Sequence, residues 1–401
     1  MPAKKLTSQS GPLWKGPEVD GITQSMLANW LVCRERFRIK YVEGWKPQDT
    51  FNHRTGYGDM WHLCEEYHAK SPGCINWAVM LKDHCQGLCK QYPMQQQEID
   101  KWYQVCKVQF PLYVAHWSKH PDVLARTPLL QEQVFDVPYK LPSGRIVRLR
   151  GKWDSVDLIG KGKGAGIYLQ ENKTKGDVDE QQIKRQMLFD LQTMLYLAAL
   201  GEWKGDSKVN WSRSTTPILG VRYNVIRRPL SGGKGKIKQR DATHGAKCPK
   251  CKGKGKVLVK GQMGSEAMTN CPKCFGQCRL GGKPAETNEA FFKRLSGIIE
   301  DSPDDFFVRF KVEVSAGDIA LFRRTCLDPI LEQVCDWYYV ATDDVERSRS
   351  WGSHQDSLNF RTPYGIYSPL IDGGGTEYDE FLSTGSTVGL VKADRLFKEL
   401  G

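Results

Sequence analysis

The chain has 401 residues, with 58 lysines and arginines against 46 acidic residues, a formal net charge of +12 and 40% apolar content. That length supports a sizeable core and two or three domains, and the basic balance suits a polyanionic partner such as nucleic acid, although a generic basic protein shares it. No segment has the length and apolarity of a membrane span, and Met1-Pro-Ala-Lys-Lys-Leu6 lacks the apolar core of a signal peptide. The 13 cysteines therefore read as metal ligands and buried thiols rather than disulfides, and the expected location is cytoplasmic.

Residues 1–22 are polar and rich in Pro and Gly, the composition of a flexible arm. From Ser25, a candidate N-cap, Leu27, Trp30, Leu31, Phe37 and Tyr41 recur at helical spacing, which predicts one amphipathic helix to Tyr41. Helical patterns over 56–70, 74–92 and 97–119 make 56–125 mainly helical. Strands are expected at 130–138, 145–158 and 166–173. The last two are joined by Gly160-Lys-Gly-Lys-Gly-Ala-Gly166, which has hairpin chemistry. Glu180–Leu200 is the clearest helix, with Asp179 as cap and Gly201 as stop, and Gly220–Pro229 alternates like a further strand. Composition then turns to Gly, Lys and Cys over 231–285. Beyond it Glu286–Ser296 reads as helix, Asp304–Val314 as strand and Ala316–Ala341 as a long helix, before a glycine-containing tail from Asp343.

Chemistry concentrates between 151 and 200. Gly151-Lys-Trp-Asp154 and Glu171-Asn-Lys173 fall on neighbouring strands, and residues two apart on a strand share a face, so Glu171 and Lys173 point the same way. Asp154 completes a set of two carboxylates and one ammonium. Hard carboxylate oxygens suit Mg²⁺ or Mn²⁺, which activates water, and a lysine steadies charge on an attacked phosphate. Asp157, three residues beyond Asp154, takes the opposite strand face and is the weaker ligand. Gln192 and Tyr196, at i and i+4, share one helix face, with Gln181 and Arg185 further along it. A Glu-x-Lys pair by itself is common on solvated strands; the ordered set of three pieces is not.

That ordered set resembles the PD-(D/E)XK nuclease superfamily, in its RecB-like branch, where a G-x-x-D strand and a D/E-x-K strand precede a helix carrying Q-x-x-x-Y. The 25–41 segment is similar to that branch's opening helix. Gly56-Tyr-Gly-Asp-Met-Trp-His62 resembles its first motif, a glycine turn entering a helix whose histidine joins the carboxylates as a metal ligand. A lone helical histidine is usually not a ligand; the motif implies that His62 is, with Glu66 one turn on as acceptor for its ring. The resemblance implies an α/β, restriction-endonuclease-like core, a mixed central sheet flanked by helices, formed by 23–230 and 286–401. It assigns Asp154, Glu171, Lys173, Gln192 and Tyr196 to catalysis and His62, Asp154 and Glu171 to Mg²⁺ or Mn²⁺, with the Asn172 carbonyl as a further ligand. Relatives with an iron–sulfur cluster place one cysteine in the first helix, where Cys33 stands, and three near the C-terminus. Ser357–Ile371 has the flavour of that region but no cysteine, so Cys33 is expected to be a structural thiol.

Cys248-Pro-Lys-Cys251 and Cys271-Pro-Lys-Cys274 are two C-x-x-C knuckles 19 residues apart. Two such knuckles complete a tetrahedral, structural Zn²⁺ site. Gly253, Gly255 and Gly276 suit the turns, and Cys278 is a spare thiol or alternative ligand. The segment 231–285 resembles an inserted zinc ribbon, or the C-x-x-C-x-G-x-G modules of J-domain chaperones. It has too few apolar residues to fold unaided. Its lysines fit either DNA phosphates or a solvated face.

The expected function is a metal-dependent DNA nuclease, an exonuclease of the kind phages encode, acting in recombination, repair or DNA turnover in the host cytoplasm. DNA is the expected partner, with a recombination or single-strand-binding protein as accessory and no membrane. The alternative is a non-catalytic zinc-containing DNA-binding protein on a nuclease-derived scaffold. A zinc-dependent chaperone-like module rests on the knuckle likeness alone.

Overall fold

A computed structural model of the chain describes residues 12–340 and 390–400, apart from 48, 72, 162–164, 206–214, 233–234, 243–245, 253, 261–265, 276–277 and 281–283. The first 11 residues of the expected arm, the Ser357–Ile371 stretch and the centre of the Gly160–Gly166 turn lie outside the described residues.

The helices are α1 Gln24–Val32, α2 Arg34–Phe37, α3 His53–Lys70, α4 Asn76–Gln91, α5 Gln96–Trp117, α6 Pro121–Leu124, α7 Glu180–Met187, α8 Leu191–Gly205, α9 Asn288–Asp301, α10 Ala316–Phe322 and α11 Asp328–Cys335. The strands are β1 Trp45–Pro47, β2 Arg126–Lys140, β3 Ile146–Ile159, β4 Gly166–Lys175, β5 Ile218–Arg227, β6 Ala246–Lys247, β7 Lys256–Lys260, β8 Glu266–Asn270, β9 Arg279–Leu280, β10 Phe307–Glu313 and β11 Leu390–Lys392. The central sheet has the order β10-β5-β4-β3-β2, with β4 and β5 parallel and every other pair antiparallel. This is the mixed, helix-flanked sheet expected of a restriction-endonuclease-like α/β fold. No helix among the described residues is long and apolar enough to cross a membrane.

Burial divides into two layers. Trp153, Leu169, Val221 and Val225 on one sheet face pack with Met26, Trp30 and Leu195 of α1 and α8. A second cluster joins Trp61, Trp102, Phe110 and Phe291 of α3, α5 and α9. Between that helical layer and the sheet lies a polar seam. Arg222 and Asp157 are both fully buried, Arg222 Nη2 donates to Asp157 Oδ2 at 2.8 Å, and Arg126 Nε lies 2.7 Å from the same oxygen. Asn224 Nδ2 donates to Asn172 Oδ1 at 2.9 Å and to Tyr113 Oη at 2.5 Å.

Three expectations are corrected. Residues 12–22 are no free arm: Trp14 is fully buried, donates from its indole to the Gly21 carbonyl at 2.8 Å and packs edge-on to Phe37. The helix expected over 25–41 starts at Gln24 with Thr23, not Ser25, as N-cap and is broken at Cys33. There an extended residue caps both sides. Its N–H donates to the Asn29 carbonyl, ending α1, and its sulfur accepts the Arg36 N–H, starting α2. The helix expected over 180–200 is two. Asp179 caps α7 as expected, but Phe189 turns to φ 54° and Asp190 caps α8, accepting the Thr193 N–H. The helix then runs through Gly201 to Gly205. The break separates Gln181 and Arg185 from the register of Gln192 and Tyr196.

Asp157→Ala strands a buried guanidinium and is expected to lower unfolding free energy by about 3–5 kcal/mol, measured by urea denaturation. A loss under about 1 kcal/mol would mean that the pair is not what holds this seam.

Candidate active site

Strands β3 and β4 pair from Ile159↔Gly166 to Ser155↔Gln170, and the ladder stops there. At the next position the Asp154 carboxylate takes over: its Oδ2 accepts the Asn172 N–H at 2.7 Å. The splayed strands open a pocket of about 510 Å³ containing His62, Glu132, Lys152, Asp154, Glu171, Lys173, Gln192 and Tyr196, with Leu400 at its edge. Every residue expected of the carboxylate site is therefore in one place, although they come from α3, β3, β4 and α8.

Local packing explains the glycines. A Cβ at Gly151 would meet the Phe135 ring at 2.5 Å and the Tyr196 ring at 2.9 Å, so the G-x-x-D glycine makes room for the tyrosine of the later helix. Gly56 and Gly58 form no turn, contrary to expectation, because α3 already begins at His53. A Cβ at Gly56 would meet Phe51 at 2.4 Å, and Gly58 faces Thr174 of β4. Small residues let α3 approach the sheet and deliver His62.

The hydrogen bonds form a tight set. Lys173 Nζ donates to Glu171 Oε1 and to Gln192 Oε1, both at 2.8 Å, and Gln192 Nε2 donates to Glu171 Oε1 at 2.7 Å. Glu171 Oε2 is buried with no hydrogen-bond partner among the described residues. A buried, charged oxygen without a partner is costly. His62 Nδ1 lies 3.4 Å from Glu132 Oε1 and 3.5 Å from Asp154 Oδ1, close but not hydrogen-bonded. The donor atoms of His62, Glu132 and Asp154 all fall within 4.8 Å of one another. One nitrogen, hard carboxylate oxygens and orphaned acceptors fit a divalent cation. Glu171 faces the same pocket but stands outside that three-residue group.

Glu132 was not legible as a site residue. Its backbone sits at φ 47°, rare for a non-glycine residue, and Lys152 holds its Oε2 at 2.7 Å. A signal existed in the register. Lys140 pairs with Ile146 and Gln133 with Trp153 across the Leu141–Arg145 turn, and the same count puts Glu132 opposite Asp154. Glu66 does not serve His62; it pairs with Lys70. Asp157 lies on the far sheet face, as strand alternation requires.

Burial carries Asp154 up to about 7; His62 and Lys173 oppose this, while the charges of Glu171 and Glu132 add to it. Burial would lower His62, but Asp154 and Glu132 carry it up to about 9. Burial also opposes charge on Lys173, yet Glu171 and Asp154 raise it, so it stays an ammonium.

The knuckles form a separate centre. Cys248, Cys251, Cys271 and Cys274 are buried with their sulfurs within 4.8 Å of one another, and Cys248 and Cys271 are 3.8 Å apart. Lys252 and Phe275, each following a knuckle, take φ of 48° and 50°, and Gly255 takes 72°. Gly253 and Gly276 lie outside the described residues. Burial opposes ionisation of Cys271, but the Lys273 and Cys274 N–H groups hold its thiol below the usual value. Four thiols of this geometry suit Zn²⁺. Cys278 stands outside the group; its carbonyl accepts the Cys248 N–H at 3.0 Å. Cys33 is buried, its sulfur turned to the Arg36 N–H.

Because Asp154 and His62 must each release a proton to bind a cation, Mn²⁺ affinity is expected to fall as pH drops from 9 to 6, by roughly tenfold per unit for each protonated group. Isothermal titration across buffers checks this, and a flat profile would contradict it. Cys251→Ser with Cys274→Ser is expected to abolish bound zinc, read by elemental analysis, and to make 246–280 protease-sensitive. The melting of the sheet core should persist. Unaltered protease resistance would show that the cluster does not hold the insertion together.

A family model of the PD-(D/E)XK nuclease superfamily matches residues 22–280, and the chain belongs to that superfamily. No curated protein matches it.

Proposed function

We propose that this member of the PD-(D/E)XK nuclease superfamily is a deoxyribonuclease of the RecB-like, phage-type branch. In this reading it is an exonuclease, works in the cytoplasm and degrades DNA ends during recombination or repair. The observation that carries the reading is the buried convergence of Asp154, Glu171 and Lys173 with Gln192, beside an unpartnered Glu171 oxygen. A decayed, binding-only scaffold has no reason to keep three buried charges in register, since each costs stability unless paired.

Asp154, Glu171, His62 and Glu132 would hold one or two Mg²⁺ or Mn²⁺ ions, which supply Lewis acidity toward water and phosphate. Lys173, anchored by Glu171 and Gln192, presents a fixed ammonium to the negative charge that grows on the phosphate oxygens. Gln192 holds Glu171 so that only one carboxylate oxygen is committed to protein. Tyr196 walls the pocket with its ring against Phe135, and burial keeps its hydroxyl protonated. Lys152 fixes Glu132 from the opposite side. The cysteine centre, closed by four thiolates, takes zinc in a structural role.

Lys173→Ala is expected to slow metal-dependent degradation of linear DNA by about 10²–10³-fold with little change in binding. Equal rates for the two proteins would end the catalytic assignment, and DNA binding by wild type without cleavage would favour a binding protein. Faster loss of linear than circular substrate is expected for an exonuclease.

A further inference from the structure

A second, wider groove of about 860 Å³ lies beside the pocket, where β4 and β5 end and α3 begins. Five cations line it: Arg54, Lys101, Arg228, Lys236 and Lys238. Two carboxylates share the groove, Glu98 and Asp241, and Glu98 is occupied by His53 at 3.2 Å. Among the described residues none of the five cations has a carboxylate partner. Arg228 is fixed in place: it donates to the Thr174 carbonyl at 2.9 Å and the Ser231 hydroxyl at 3.1 Å. Burial and the neighbouring Arg54 charge both pull its pKa down. An excess of five cations over two carboxylates in one groove is what a polyanion relieves.

The groove connects to the site along two elements. Strand β4 runs from Lys173 in the pocket to Gly176 at the groove, about 10 Å at strand rise. Helix α3 runs from His62 back to Arg54, about 12 Å. At about 3.4 Å per nucleotide along a strand, that is roughly three nucleotides. The outer wall is the root of the cysteine-bearing insertion, and hydrogen bonds tie this root to the core. Ile237 N–H donates to the Pro229 carbonyl at 2.8 Å. Arg294 of α9 donates to both Glu286 oxygens at 2.7 Å and to the Lys238 carbonyl at 2.9 Å, and Arg240 N–H donates to Glu286 at 3.0 Å.

We propose that this groove binds the phosphodiester backbone of the substrate strand about three nucleotides from the scissile bond, with the insertion root as its outer wall. The inference rests on the nuclease reading and gives the insertion a part in substrate binding, beyond that of scaffold.

The test uses the full chain carrying Lys101→Ala, Lys236→Ala and Lys238→Ala, all on exposed side chains. Fluorescence anisotropy without divalent metal, at several salt concentrations, reads binding of a 20-nucleotide and a two-nucleotide DNA strand independently of cleavage. Affinity for the long strand is expected to fall at least about tenfold, and the slope of log affinity against log salt to become shallower by about two to three. The two-nucleotide strand, too short to reach the groove from the pocket, is expected to lose little. The matching Lys→Arg triple variant is expected to keep wild-type affinity, and kcat at saturating long substrate to stay unchanged while KM rises. Unchanged affinity and salt slope, or an equal loss on the two-nucleotide strand, would overturn the groove. Failure of wild type to cleave would instead overturn the nuclease reading, so the two outcomes are separable.

Discussion

The site depends on one substitution in the sheet's hydrogen-bond ladder. Where β3 and β4 part after Ser155↔Gln170, the Asn172 N–H would be left without a strand partner, and the Asp154 carboxylate accepts it instead at 2.7 Å. This bond holds the two strands apart at a fixed spacing and aims the remaining Asp154 oxygen into the opening. His62 from α3, Glu132 from β2 and Gln192 from α8 enter the same opening. Without the splay the carboxylates would face packed neighbours. With it they face each other, and burial, with the charges of Glu171 and Glu132 adding to it, lifts Asp154 toward neutral pH. Lys173, Lys152 and His62 offset part of that charge.

The same alternation that gathers the site separates it from a second polar layer. Glu171 and Lys173 of β4 turn to the pocket, while the side chains of Gln170 and Asn172 join Asp157, Arg222, Asn224 and Tyr113 on the other face. One sheet thus carries buried charge on both faces for different ends. On the far side the side chains pair with one another and pin the helical layer to the sheet, although Arg222 Nη1 and Asn224 Oδ1 find no hydrogen-bond partner among the described residues. On the near side Glu171 Oε2 and His62 Nδ1 are left without one. The near side differs in that its orphaned carboxylate and imidazole atoms belong to residues lining an open pocket.

Donor chemistry also divides the two metal-capable groups. Oxygen and nitrogen atoms meet in the pocket and four sulfurs in the insertion, so each suits a different class of cation. The insertion springs directly from β5, and the Glu286–Arg294 clamp closes its base onto α9.

Much of this was legible in the chain itself. Strand periodicity placed Glu171 and Lys173 on one face and Asp157 on the other, helical spacing paired Gln192 with Tyr196, and the two C-x-x-C pairs announced their own centre, because these relations are local and follow from backbone geometry alone. Caps at Cys33 and Asp190 were harder to read. Cysteine is an unusual cap, and Asp190 sat inside an uninterrupted apolar pattern. Glu132, the burial of Trp14, the rejection of Glu66 and the groove beside the pocket were decided only by tertiary structure. Each depends on which distant segment lies opposite. Glu132 faces Asp154 through a hairpin register, Trp14 meets Phe37 and Tyr338 across the fold, and Arg54 and Lys238 line one groove although they are far apart in the chain. Periodicity reports the face on which a side chain lies; what that face meets is set by packing between elements far apart in the chain.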